Sequence, residues 1–262
     1  MPWPDAASSG RRFRDYLLRW FARPAVYTFV GAGGKSTAMK RTARLLAQTG
    51  ARVWLTTTTR VGIEEFSAFP LTILREAGDL PEPPEPGRIA MLVGDADERA
   101  GKLLGVEPDV VGRLRAGGEA FVLVEGDGSR RLPIKAPKAW EPVVPTSSRA
   151  VFCLMGASAF DEPVDGERCY NPEGALALLG GADRISGTDR RFGAEEIADL
   201  AAHPQGGRKG VAAPMEFRLL LNQCDLADKR DTALAALRIA QARWGIEGAL
   251  LSFEREELYE VD

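Results

Sequence analysis

Val26-Tyr27-Thr28-Phe29-Val30 runs without a break into Gly31-Ala32-Gly33-Gly34-Lys35-Ser36-Thr37. The first five residues are mostly β-branched or aromatic and carry no charge, which predicts a buried strand. From Met39 to Ala47 apolar residues return at helical spacing and Gly50 supplies a stop, so a helix is expected over 38–48. Glycines packed between a strand and a helix let backbone N–H groups point at an anion where the helix dipole also favours negative charge. Gly31, Ala32, Gly33, Gly34, Lys35, Ser36 and Thr37 are therefore read as a phosphate-binding loop. In it Lys35 supplies a mobile cation for β- and γ-phosphate and Ser36 a hard oxygen for magnesium.

The usual spacing places a glycine five positions before the one preceding the lysine, and that position is Phe29 here. The compressed pattern G-x-x-G-K-S-T is similar to the short phosphate loop of Mur-type ligases. Lys35 is expected to be an exposed loop residue, so that Lys35→Ala abolishes nucleotide binding and leaves the fold intact.

The 262 residues are 45% hydrophobic and 27% charged, ordinary for a globular chain with a sizeable core. A net charge of −3 gives no reason to invoke nucleic acid or an anionic membrane as partner. Cys153, Cys169 and Cys224 form no C-x-x-C pair and read as buried structural thiols. His203 is the only histidine, which disfavours triad catalysis and histidine-rich metal sites. No apolar run approaches the ~18 residues of a membrane span, and no signal-peptide core is present, so the expected location is cytoplasmic. Over 11–23, Phe13, Leu17, Trp20 and Phe21 share a helical face surrounded by Arg11, Arg12, Arg14, Arg19 and Arg23. This amphipathic N-terminal helix (1–23) is expected to dock on the domain formed by 24–262, a membrane-surface role being the alternative.

Further strands are predicted at 52–55, 89–93, 120–125, 150–155 and 217–222, and helices at 194–202 and 231–244. Continuously apolar strands alternating with helices predict a doubly wound, mostly parallel α/β sheet of P-loop NTPase type. Ligands then bind at the carboxyl ends of the strands. Three of those ends carry suitable residues. Glu125 and Asp127 follow Val122-Leu123-Val124, where a carboxylate holds magnesium or positions an attacking water. Asn222-Gln223-Cys224-Asp225 resembles the N-K-x-D element of GTP-binding folds, with Asn222 and Asp225 as base readers and glutamine in place of lysine. The run Thr56-Thr57-Thr58-Thr59 offers hydroxyls to magnesium or a γ-phosphate, with Thr57 as the metal candidate, or is simple strand propensity. Arg130, Arg131 and Lys135 follow the acidic strand end, as phosphoryl-stabilising or surface cations, and 204–210 is a basic glycine turn or lid.

These segments, V-G-A-G-G-K-S-T (30–37), L-T-T-T-T (55–59), V-L-V-E-G-D-G-S-R (122–130), L-P-I-K-A-P (132–137), H-P-Q-G-G-R-K-G (203–210) and L-N-Q-C-D (221–225), are collinear. Together they resemble the family of selenium-dependent hydroxylase accessory proteins, the YqeC family. The resemblance implies a P-loop domain using Mg2+ with ATP or GTP, tied to maturation of molybdenum-containing hydroxylases or their cofactor-assembly proteins. It also implies Lys35 and Ser36 as phosphate and magnesium residues and Glu125 with Asp127 as the acidic catalytic site. Three readings stay open: an NTPase, a transferase or ligase acting on a small cofactor precursor, and a non-catalytic nucleotide-binding scaffold. A selenium-carrying or redox role for Cys153 or Cys169 is a weaker fourth.

Overall fold

The computed structural model describes residues 6–74, 80–116, 119–180 and 190–259. In chain order the elements are α1 (Ala6–Trp20), β1 (Val26–Gly31), α2 (Lys35–Gln48), β2 (Arg52–Thr57), β3 (Val61–Gly62), α3 (Ile63–Phe66), β4 (Leu71–Ile73), β5 (Ile89–Val93), β6 (Asp95–Asp97) and β7 (Lys102–Leu104). There follow α4 (Pro108–Ala116), β8 (Ala120–Glu125), β9 (Ile134–Lys135), β10 (Ser148–Gly156), β11 (Cys169–Tyr170), α5 (Pro172–Leu178), α6 (Ala194–Ala202), β12 (Glu216–Asn222), α7 (Arg230–Trp244), β13 (Glu247–Ser252) and β14 (Glu257–Tyr259).

Among the described residues, nine strands form the main sheet in the order β14-β13-β12-β10-β1-β8-β2-β5-β4, every pair parallel except β13 with β14. β1 lies between β10 and β8, and the chain leaves it for β2 on one side before returning to build β10 on the other. β1 is thus the switch point of a doubly wound sheet, where the crevice at the strand carboxyl ends opens. The strand's side chains alternate although all are buried. Tyr27 and Phe29 pack with α1 and α2, whereas Val26 and Val30 pack on the opposite face, in the cores that include α4, α6 and α7.

Phe13, Leu17 and Phe21, on and just after α1, are buried against the sheet. Phe21 stacks on Phe152 at 5.0 Å and Phe13 meets Phe253 edge-on at 5.6 Å. The apolar face of this helix is occupied by its own fold, so the membrane-surface alternative loses its hydrophobic contact surface. The Arg11 side chain lies outside the described residues.

The short β3, β7 and β6 make a separate three-stranded antiparallel sheet beside the main one. With α3, this flap was not foreseen, nor were β13, β14, α4 and α5. Elements of two to nine residues carry too few periods for patterning to reveal them. Among the described residues, no helix is long and apolar enough to cross a membrane.

Candidate functional site

The loop after β1 divides into two halves. In the first, each amide already has a partner: Gly31 N–H donates to Asp127 Oδ2 (3.1 Å), Ala32 N–H to the Leu154 carbonyl (2.9 Å) and Gly33 N–H to the Leu132 carbonyl (3.0 Å). Gly31, Ala32 and Gly33 therefore do not offer the anion-facing amides expected of them. The second half begins at Gly34, the left-handed N-cap of α2 (φ 109°). Lys35, Ser36 and Thr37 form the first turn of that helix, whose amides have no intrahelical acceptor. They line a cavity of about 970 Å³.

Lys35 is only 3% exposed, contrary to the expectation of a solvated loop lysine. Its ammonium donates to the Gly31 carbonyl (2.5 Å) and pairs with Asp127 Oδ1 (3.2 Å). Burial pushes the ammonium towards neutrality, but the carboxylates of Asp127 and Glu125 outweigh it and hold the lysine above its ordinary range. Asp127 also departs from its expected role. It does not line the cavity, and its second oxygen, besides taking the Gly31 amide, faces Lys135 Nζ at 3.3 Å. Lys135, wholly buried, pairs in turn with Glu141 at 2.7 Å and donates to the Gly128 carbonyl. Asp127 is thus a positioning residue that joins two lysines to the loop, and not a group facing metal or water.

Glu125, 5% exposed, does line the cavity. Its Oε2 lies 3.1 Å from Ser36 Oγ, and Glu65 Oε2 on α3 lies 2.7 Å from the same hydroxyl. Burial, reinforced by Glu65 and opposed by Lys35, pushes the Glu125 carboxyl up to about 7. Glu65 was missed because nothing local marks it: it sits 29 residues from Ser36 on a four-residue helix. A Cβ on Gly62 would lie 3.2 Å from Glu65 Oε1, so a side chain there would nudge this carboxylate. Ser36, Glu65 and Glu125 together form a set of hard oxygens at a helix N-terminus, the donor chemistry magnesium requires. One hydroxyl proton cannot satisfy two carboxylates at once.

Other expected residues turn away from the cavity. Thr57 is buried and its hydroxyl donates to the Glu125 carbonyl (3.0 Å), so it orders the strand end and offers no metal ligand. The Asn222 amide donates to the Gly33 carbonyl (2.7 Å), while its oxygen accepts the Phe253 amide (3.0 Å). It props the loop from behind and has no free face for a base. Asp225 pairs with Arg255 (3.4 Å) outside the cavity lining, whereas Gln223 lines it. The turn at 204–210 likewise contributes no lining residue. The three cysteines are buried and unpaired, and burial pushes the thiols of Cys153 and Cys169 up to about 12, a poor starting point for redox or selenium chemistry.

In overall shape the chain is similar to chloroplast FtsY from Physcomitrella patens (TM-score 0.48, 14% identity), covering 92% of this chain and 63% of that one. It is less similar to HypB from Helicobacter pylori in complex with nickel (TM-score 0.36, 10% identity, 93% and 86% covered). In sequence, YqeC of Escherichia coli (strain K12) is 32% identical over 220 residues, 82% of this chain and 84% of that protein. The family model described as YqeC protein matches residues 27–173, a span that holds the loop, Glu65, Glu125 and Lys135. On both counts the chain belongs to the YqeC family.

Proposed function

We propose that this chain binds a magnesium nucleoside triphosphate, ATP or GTP, at the N-terminus of α2 and turns it over, as an accessory in the maturation of a molybdenum-containing hydroxylase. The observation that carries the nucleotide reading is the convergence of Lys35, Ser36, Glu65 and Glu125 on one cavity at the switch point of the sheet. The free amides of the first turn receive the phosphate oxygens, and Lys35 neutralises β- and γ-phosphate charge. Ser36 with Glu125 and Glu65 would hold magnesium, whose role is to neutralise charge developing on the transferred phosphoryl group. Glu125, with its raised proton affinity, is the group placed to orient a water. The hydroxylase role rests on family resemblance alone.

Calorimetric titration with ATP and with GTP, each with and without magnesium, tests the reading. Magnesium-dependent binding of one of them, weakened by about 10–100-fold in Lys35→Ala, is expected. No binding of either to the wild type would overturn it. GTP preference would require Asp225 to leave Arg255, so a tenfold preference for GTP should disappear in Asp225→Asn. For the cellular role, the measurement is hydroxylase activity in cells lacking this chain. Unchanged activity would remove that part of the proposal.

A further inference from the structure

We propose that the cavity wall formed by Arg130, Arg131 and Tyr170, with Lys138 beside the same ring, is a subsite for the oxyanion of a second small molecule, a carboxylate or a phosphate. This rests on the nucleotide reading and adds a co-substrate to it.

Charge is the first argument. Three cations surround the Tyr170 ring: Lys135 Nζ at 4.8 Å, Lys138 Nζ at 5.1 Å and the Arg130 guanidinium at 5.4 Å from its centroid. Lys135 is compensated by Asp127 and Glu141. Among the described residues, Arg130, Arg131 and Lys138 have no carboxylate at ion-pair distance. Arg130, Arg131, Lys135 and Lys138 thus set four cations against the two carboxylates Asp127 and Glu141, while Lys35, on the far side of Asp127, is balanced by Glu125 and Glu65. Like charges crowded at one ring repel, and an anion among them removes the repulsion. Guanidinium forks match the planar oxygens of carboxylate or phosphate.

Backbone conformation is the second. Arg130 and Arg131 are consecutive residues in the left-handed region (φ 52° and 62°), which side-chain-bearing residues seldom adopt. The turn is closed by Leu132 N–H on the Ser129 carbonyl (3.0 Å), and the Leu132 carbonyl accepts the Gly33 amide (3.0 Å). The phosphate loop therefore fixes where the two arginines stand, and strain held in this way is a mark of functional sites.

The third argument is location. Lys35, Asp127, Lys135 and Tyr170 form a continuous chain of contacts, so an anion held here is two charged side chains from the phosphate-binding lysine. Arg130, Arg131 and Tyr170 line the same cavity of about 970 Å³ as Lys35 and Ser36.

The test uses protein saturated with magnesium and a non-hydrolysable ATP or GTP analogue, so that the α2 terminus is filled. Inorganic phosphate and succinate are then titrated by calorimetry into wild type and the double variant Arg130→Gln/Arg131→Gln. Saturable binding of one probe is expected, weakened at least about tenfold in the variant, with analogue affinity unchanged. The tighter probe tells a phosphate-bearing from a carboxylate-bearing co-substrate. Lys138→Gln, which leaves the strained turn untouched, should weaken the same probe by a smaller factor. Absence of saturable binding, or equal binding by wild type and double variant, would overturn the subsite. So would a parallel loss of analogue affinity, which would assign the arginines to the nucleotide's own phosphates. A wild type that does not take the analogue would instead overturn the nucleotide reading beneath it.

Discussion

The two halves of the glycine-rich loop look alike in sequence and do opposite work. In the first half glycine is needed because backbones touch: a Cβ on Gly31 would lie 2.4 Å from the Leu154 carbonyl oxygen, and one on Gly33 2.2 Å from the Gly156 nitrogen. The amides there are turned inward and bonded. In the second half Gly34 is exposed, and the helix that follows opens its first-turn amides to the cavity. A glycine-rich loop is thus a clamp joined to a cradle. The clamp sets where the cradle stands, by fastening it to β10, to Asp127 and to the turn that carries Arg130 and Arg131.

If this division is right, substitutions in the first half act on folding and those in the second on binding. The largest effect is expected for Gly33→Ala, which drives a methyl into the Gly156 backbone at a positive φ of 69°. A stability loss of about 4 kcal/mol or more, or failure to fold, should be seen in urea denaturation. A variant less than ~1 kcal/mol below wild type would break the comparison, because the clamp would then be yielding.

Lys35→Ala comes next, and it crosses the boundary. Its ammonium, the proposed phosphate ligand, is held by Asp127, with side chains 2% and 1% exposed. Binding should fall by about 10–100-fold. Stability should fall by about 2–4 kcal/mol, less than for an isolated buried pair because Lys135 still faces Asp127. Combining it with Asp127→Asn in a double-mutant cycle should recover part of the stability and none of the binding.

What was legible in the sequence follows the same line. β1, the glycine turn and α2 are contiguous, so their periodicity and turn chemistry sit in one window. The same holds for β8 leading to Glu125. The inward bonding of Gly31, Ala32 and Gly33 was hidden because the acceptors, at positions 127, 154 and 132, come from far along the chain. Lys35 reads as solvated until Asp127 and the fold close over it. Thr57 and Asn222 were found at the correct strand ends, but which way a hydroxyl or amide points depends on neighbouring backbone that no local pattern encodes. Glu65 belongs to a flap of strands too short to announce themselves.

The carboxylates of the cradle give a third, smaller effect with a distinctive pH dependence. Glu125 has a folded-state pKa raised from 4.5 to about 7, so folding takes up a proton. Its favourable contribution is complete below about pH 4.5 and is lost as pH rises through about 7. Glu125→Gln, which mimics the protonated form, should therefore stabilise the magnesium-free protein by on the order of 2–3 kcal/mol at pH 8.5, by under about 1 kcal/mol at pH 5 and by almost nothing below about pH 4. Urea denaturation of both proteins across this range checks it. A pH-independent difference would mean that Glu125 is ionised without cost, and that the cradle is wetter than its burial indicates.

The smallest effect separates the cradle from the clamp most cleanly. Ser36 is half-buried and bridges Glu65 and Glu125 through one hydroxyl. Ser36→Ala removes that bridge without opening the core, so stability should change by only about 1 kcal/mol. The ratio of nucleotide affinities with and without magnesium should nevertheless shrink by about tenfold, since one of three hard oxygens is gone. Unchanged magnesium dependence would place the cation elsewhere. A loss of stability as large as that of Gly33→Ala would mean that the two halves of the loop fold as one unit, and that the boundary at Gly34 has no energetic meaning.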